Sequence, residues 1–363
     1  MSKQKVKILV AMSGGVDSSV AVALLLEAGY DVTGAYMKQW DDKDETGVCT
    51  WKQDRRDALR VSAHLGIPLL TLDFEQEYKK WVMEYMYAEY ERGRTPNPDV
   101  LCNKFIKFGV WLEKAKELGF AKLATGHYGS IETFKHKNIQ TYNLLRAKDE
   151  NKDQTYFLHQ LTQEQLKYTL FPLGKYTKDE VRVMAKKFNL PNADRSESMG
   201  ICFVGVVPMK DFLLKKIKVN KGNIVTSDGE VVGEHDGLAF YTIGQRHGFD
   251  IRNKNKIIES KAMYVVQKKY DTNELVVGFD DDELLYSKQA EIEDVNWISG
   301  QKPSFPLKCK VRLRHRQPLQ DVQLLQKDGK ILVEFNIKQK AVTPGQFAVF
   351  YQNQVCLGGG AIK

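Results

Sequence analysis

The chain has 363 residues, 42% hydrophobic and 28% charged, with a formal charge of +8. That length sustains two or three domains with cores of their own, the balance argues against a disordered or fibrous chain, and no apolar run is long enough for a membrane helix. Five cysteines without framework spacing argue against a secreted disulfide scaffold, and MSKQKVK holds no signal-peptide apolar stretch, so the expected location is the cytoplasm.

The first element is legible at once. Ile8 to Met12 is continuously apolar, which predicts a buried parallel strand, and the Ala, Val and Leu residues from Ser19 predict a helix closed by Gly29. Strands at Asp31–Met37, Pro68–Phe74 and Lys122–His127 then alternate with helices near Asp54–Gly66, Glu75–Arg92 and Phe105–Gly119. This alternation, up to about residue 200, predicts a doubly wound α/β sheet with its ligand beyond the carboxyl ends of the strands. From about residue 220 short strands are joined by turn signals, SDGE at 227–230, KDGK at 327–330 and NQ at 353–354. Two small all-β domains are expected, split near GFDDDE at 278–283, the last barrel-like. The expected domains are 1–207, 208–280 and 281–363.

Four segments carry chemistry. Between the first strand and helix lie Ser13, Gly14, Gly15, Val16, Asp17 and Ser18. The loop lacks the Walker A lysine and the G-x-G-x-x-G spacing, which disfavours both a γ-phosphate-transferring P-loop and a Rossmann dinucleotide site. SGGxDS is the PP-loop pattern, whose amides and hydroxyls grip the pyrophosphate end of ATP and suit attack at the α-phosphate. The competing reading is an ordinary helix cap, with Asp17 or Ser18 serving only the first-turn amides.

The second segment is RTPNPDVLCNKFIKFG. Pro96 and Pro98 are expected to hold it extended, with Cys102 near a helix N-terminus, where the dipole and Lys104 favour a thiolate. Burial is the commoner fate of a lone cysteine, but the polar surroundings favour reactivity, and Asp99 nearby offers a proton shuttle. The third is SESMGICFVG. Read alone, Cys202 between Ile201 and Phe203 is a core cysteine on a strand, although the flanking glycines and polar SES fit a segment that moves. The fourth is KCKVRLRHRQ, where Lys308, Lys310, Arg312, Arg314 and Arg316 alternate. On one strand all five cations would share a face, which favours a polyanionic partner over a solvated surface. Cys49, Cys309 and Cys356 read as structural, and His127 is expected near the nucleotide. The histidines show no metal-ligand spacing.

SGGVDSS, GRTPNPDVLCNKFIKFG, ATGHY, NKDQTYFL, GICFVG, YTIGQRHG and VTPGQFAVFY occur in the order seen in the bacterial tRNA-specific 2-thiouridylases, and the chain resembles that family over essentially its whole length. The resemblance implies an adenine nucleotide alpha hydrolase-like PP-loop domain and an enzyme that installs sulfur at C2 of the wobble uridine (U34) of tRNA. It implies ATP binding by Ala11, Met12, Ser13, Gly14, Gly15, Val16, Asp17, Ser18, Met37 and Gly126, with Mg2+ accompanying the ATP and no resident metal. Asn97, Pro98 and Asp99 would face the target base; Lys152, Asp153, Gln154, Arg314 and His315 would touch tRNA. Cys202 would carry a persulfide, Cys102 would form a transient disulfide with it, and Asp99 would shuttle a proton. The implied partners are the anticodon stem-loop of tRNA, from the Lys, Glu and Gln acceptors, and a sulfur-donor protein, with no membrane.

Two departures stand out. Val206, Val207 and Pro208 replace the acidic and basic residues usual after GICFVG, and Met199 replaces the commoner Thr or Ser. The alternatives are another PP-loop enzyme, such as an amide-forming ligase or a different tRNA sulfurtransferase, and a noncatalytic tRNA-binding protein with a vestigial ATP loop. No C-x-x-C ligand set announces an iron–sulfur cluster.

Overall fold

The computed structural model describes residues 5–38, 50–136, 139–196, 209–214, 216–251 and 261–363. Cys49 and the segment from Glu197 to Pro208, including Cys202 and both departures, lie outside the described residues.

The first domain is built on β1 (Lys7–Ala11), β2 (Asp31–Lys38), β3 (Leu69–Asp73) and β4 (Lys122–Thr125). A hairpin, β5 (Ser130–His136) and β6 (Ile139–Leu145), and the short β7 (Thr169–Leu170) follow. Strands β3-β2-β1-β4-β7 form a parallel sheet in that order. Side chains of β1 alternate between its two faces: Leu9 joins a core with Met86, Ile106 and Trp111, while Ile8 and Val10 join Val20, Ala21 and Val61. Burial on both faces is why β1 reads as an unbroken apolar run. Helix α1 (Val16–Glu27) ends as expected, with Gly29 at φ +84° donating to Leu26 O.

The middle domain has β8 (Gly222–Thr226), β9 (Val231–His235), β10 (Asp250–Ile251), β11 (Tyr264–Lys269) and β12 (Glu274–Gly278), ordered β10-β9-β8-β12-β11. The last domain comprises β13 (Tyr286–Trp297), β14 (Leu307–Arg312), β15 (Gln320–Lys327), β16 (Lys330–Lys340), β17 (Phe347–Gln352) and β18 (Val355–Ile362). Ile292 of β13 lies opposite both Ile331 of β16 and Ile362 of β18, which closes these six strands into a barrel. The KDGK turn has Asp328 and Gly329 at φ +49° and +79°, the positive pair that tight hairpins require.

Two features differ from the sequence reading. The β5–β6 hairpin, unforeseen within the strand–helix alternation, leaves the first domain and adds to the barrel, with Leu144 paired to Cys356 and Leu145 to Val355. The five-cation stripe does not exist as one exposed face. β14 stops at Arg312, which is 4% exposed and paired to Asp153, while Arg314 and Arg316 lie in the turn beyond, Arg316 at φ +65°. Alternation gives the side of the strand, but closure of the barrel against the first domain covers its final position.

Candidate functional site

Sheet order reverses between β1 and β4, so the loops after these two strands share the crevice at the carboxyl edge. Gly15 caps α1 with no side-chain bond to the first-turn amides. Ser18 Oγ accepts from Ser13 N at 3.2 Å and donates to Gly15 O at 3.1 Å; Ser13 Oγ accepts from Gly15 N at 3.3 Å. Asp17 turns outward and accepts from Tyr128 OH at 3.0 Å and Lys178 Nζ at 2.5 Å. An ordinary cap would use these side chains on the helix amides. Here they brace the loop, leaving a helix N-terminus suited to an anion.

Two glycines at this crevice, Gly14 and Gly126, are required by close approach. Gly14 has φ +78°, and a Cβ there would collide with the Asp54 carbonyl; a Cβ on Gly126 would stand 2.8 Å from Ser18 N. Met12 and Met37 are buried at the adjoining strand ends, and Ala11 lies opposite Thr125. Sequence reasoning missed the outer supports of the loop. Asn192 Nδ2 donates to Gly14 O at 2.8 Å and to Ser19 Oγ at 3.0 Å, and Arg195 Nη1 donates to Gly14 O at 3.2 Å. Arg195 is itself held by Asp57 at 2.9 Å and by Asp54. These partners arrive from distant elements, and no local pattern marks them.

His127, beside Gly126, is buried against Phe108 and Phe171 and shares a 2.7 Å hydrogen bond with Thr125. Burial, with Lys107 nearby, holds its imidazole well below the usual range, so it is neutral at physiological pH.

The NPDVLC segment is helical where an extended loop was expected. Pro98 starts the helix Pro98–Leu101, a position that suits its fixed φ, and a π-helical turn, Cys102–Val110, continues from it. Val100, Leu101 and Ile106 pack inward, and Cys102 is fully buried among them. Lys104 points to Gln160 Oε1 at 3.0 Å, and burial pushes its amine below the usual range. Asp99 O accepts from Asn103 Nδ2 at 3.0 Å.

All three domains meet on the turn just before this helix. Thr95 N donates to Pro344 O at 2.9 Å, Gln346 Nε2 donates to Thr95 O at 2.8 Å, and the Thr95 and Thr242 hydroxyls share a bond of 3.2 Å. Tyr270 OH donates to Gly93 O at 2.9 Å. The YTIGQ and VTPGQ motifs therefore clamp the segment carrying Asn97, Pro98, Asp99 and Cys102. Arg314 joins the clamps, donating to Ile243 O and Ala341 O at 3.1 Å and to Thr343 Oγ1 at 2.8 Å.

NKDQTYFL forms a second junction. Tyr156 OH donates to Leu313 O and Phe347 O, both at 3.2 Å, inside the barrel domain, and Gln154 Oε1 accepts from Tyr128 N at 2.9 Å. Asp153 is buried, whereas Lys152 is partly exposed beside it. His315 packs against Phe157, with ring centroids 4.6 Å apart and planes tilted by 42°. Cys309 and Cys356 are packed in the barrel domain and its margin; burial pushes the Cys309 thiol up to about 12 and raises that of Cys356 as well.

A family model described as the tRNA methyl transferase HUP domain matches residues 6–206. Models of a tRNA methyl transferase PRC-barrel domain and an aminomethyltransferase beta-barrel domain match 210–279 and 287–362. Together with the sheet order and the loop, they define a nucleotide-binding, tRNA-modifying class of protein. The chain is 47% identical to a tRNA-specific 2-thiouridylase of Geobacillus thermodenitrificans, covering 98% of this chain and 94% of the relative. Relatives of the same description from Lactococcus lactis and Enterococcus faecalis are each 46% identical over 99% of this chain, and 96% and 95% of their own length. The chain belongs to the tRNA-specific 2-thiouridylase family and is a tRNA sulfurtransferase.

Proposed function

We propose that the protein thiolates C2 of the wobble uridine of tRNA by consuming ATP at the Ser13–Ser18 loop. The observation that carries this reading is the braced loop itself, a helix N-terminus at the sheet's switch point whose cap makes no side-chain hydrogen bond, within a chain whose other motifs are clamped around Cys102. The uridine O2 attacks the α-phosphorus of ATP and displaces pyrophosphate. The terminal sulfur of a Cys202 persulfide then attacks C2, and the C2–O bond breaks with AMP as leaving group. The Cys102 thiolate attacks Cys202 Sγ, the S–S bond to the transferred sulfur breaks, and the electron pair leaves the base as a thiocarbonyl. An external thiol reduces the Cys102–Cys202 disulfide to reset the enzyme, and a donor protein restores the persulfide. Asp99 is the proton shuttle.

Mg2+ accompanies the ATP in this reading, held chiefly by the phosphate oxygens as is usual for this hard cation. The tRNA backbone has a complementary surface. A groove of about 1130 Å³ between the first domain and the barrel is lined by Arg146, Lys308, Lys310, Arg312 and Arg316, against Glu150 and Asp321. We assign the anticodon arm to this side, with Lys152 and His315 at its margin. Mass spectrometry of tRNA nucleosides after incubation with protein, ATP, magnesium and a persulfide source tests the proposal. Formation of 2-thiouridine only when ATP is present supports it; thiolation without ATP overturns it.

A further inference from the structure

The Ser13–Ser18 loop has no lysine, yet the structure brings one to it. Lys178 is the first residue of the helix Lys178–Lys187, far along the chain from the loop. Its backbone N donates to Asp149 Oδ2 at 2.9 Å, and Val181 and Ala185 of the same helix pack with Val20 and Ala21 of α1. These contacts fix its origin. Its ammonium stands 6.0 Å from the centroid of the Tyr128 ring and 2.5 Å from Asp17 Oδ1. The Lys178 side chain is 12% exposed and Asp17 34%, so the pair lies at the mouth of the loop, with the carboxylate the wetter partner.

Charge decides what the pair can do. Among the described residues a second cation, Arg195, reaches the loop; it bridges the carboxylates of Asp54 and Asp57 and is pinned to the Gly14 carbonyl. It is committed to shaping the loop. Asp17 would repel a triphosphate arriving at the amides of α1, and a partly buried repulsion of this kind is screened less than one in open water. An ammonium on a flexible stem, already beside that carboxylate, offsets the repulsion and can swing one of its three donors onto a phosphate oxygen.

We propose that Lys178 is a phosphate-binding residue, the cation for the pyrophosphate end of ATP that the loop itself does not encode. The inference rests on the reading of the loop as an ATP site. Asp17 and Tyr128 hold the ammonium at the mouth before the nucleotide arrives.

The test is equilibrium binding of ATP and of inorganic pyrophosphate to the full-length protein and to Lys178→Met, Lys178→Arg, Asp17→Asn and the Lys178→Met/Asp17→Asn double variant. Lys178→Met is expected to weaken pyrophosphate at least ten-fold and to lower the salt dependence of binding. Lys178→Arg keeps affinity within about three-fold, which separates lost charge from misfolding. Adding Asp17→Asn to Lys178→Met does not restore affinity if the ammonium touches phosphate. Full restoration in the double variant, or unchanged binding in Lys178→Met, overturns the proposal while leaving the ATP site intact. Failure of the unmodified protein to bind either probe overturns the loop reading and this inference together.

Discussion

Arg312 of β14 donates from Nη1 to Asp153 Oδ2 at 2.9 Å, and both side chains are out of solvent, 4% and 0% exposed. Asp153 also accepts from Thr155 Oγ1 at 2.8 Å and Ala147 N at 3.2 Å. This buried pair bolts the first domain to the barrel. Arg312→Met removes the shorter of two ion pairs on the buried carboxylate and leaves it only Arg146 Nε at 3.7 Å, so it should cost up to about 3–5 kcal/mol. The Asp153→Leu/Arg312→Met double variant should cost less than Arg312→Met alone. Urea unfolding measures both, and an Arg312→Met protein as stable as the parent would refute the bolt.

At the proposed ATP loop, Gly14→Ala adds a Cβ at φ +78° against the Asp54 carbonyl. The strain is of order 1–3 kcal/mol and falls on the amides to which the proposal assigns the phosphates. ATP affinity should drop by ten-fold or more in calorimetric titration, with the far-ultraviolet circular dichroism unchanged. Unaltered affinity would mean the loop does not hold the nucleotide.

For the groove, the structure directs which cations to remove. Lys308 and Lys310 are exposed on β14 and Arg316 is exposed in the following turn, whereas Arg312 holds the domains together. The Lys308→Ala/Lys310→Ala/Arg316→Ala variant should bind tRNA with a log K versus log salt slope smaller by about two to three. An identical slope would show that the groove does not follow the phosphate backbone.

His159 gives a pH signature. Burial pulls its pKa down from the ordinary 6.5 to about 4, with a contribution from Lys104, despite its bond with Tyr156 O at 2.6 Å. Below pH 6.5 the unfolded chain takes up the proton and the folded chain does not, so stability is full above that pH and falls as pH drops toward 4. For this one group the loss is at most about 3 kcal/mol. His315, also held near 4 by burial with Arg316, Arg312 and Lys152 nearby, acts in the same direction. Unfolding free energies between pH 7 and 4.5 should fall less steeply in His159→Gln than in the parent. Equal slopes, or a His159 resonance that titrates near 6.5, would contradict this.

What the sequence disclosed is what is local. The apolar run of β1, the Gly29 stop and the Asp328–Gly329 turn are short-range consequences of residue type, and each stands where its pattern places it. Contacts across the chain were not legible. Nothing near Asp17 announces Lys178, nothing near Gly14 announces Asn192 or Arg195, and the alternation in β5 and β6 does not reveal that they extend the barrel sheet. Pro96 and Pro98 give the Cys102 segment the pattern of an extended polar loop. Pro98 instead opens a helix, and the apolar Val100, Leu101 and Ile106 draw the thiol under cover.

The central claim is that ATP activation and sulfur transfer are separate acts, one at the Ser13–Ser18 loop and the other through Cys202 and Cys102. The most direct measurement is tRNA-dependent pyrophosphate release, followed alongside 2-thiouridine content, for the parent protein and for Cys202→Ser. The account predicts pyrophosphate and thiouridine together from the parent, and a first turnover of pyrophosphate without thiouridine from Cys202→Ser. Thiouridine made by Cys202→Ser at the parental rate, or thiolation by the parent with no pyrophosphate released, would contradict it.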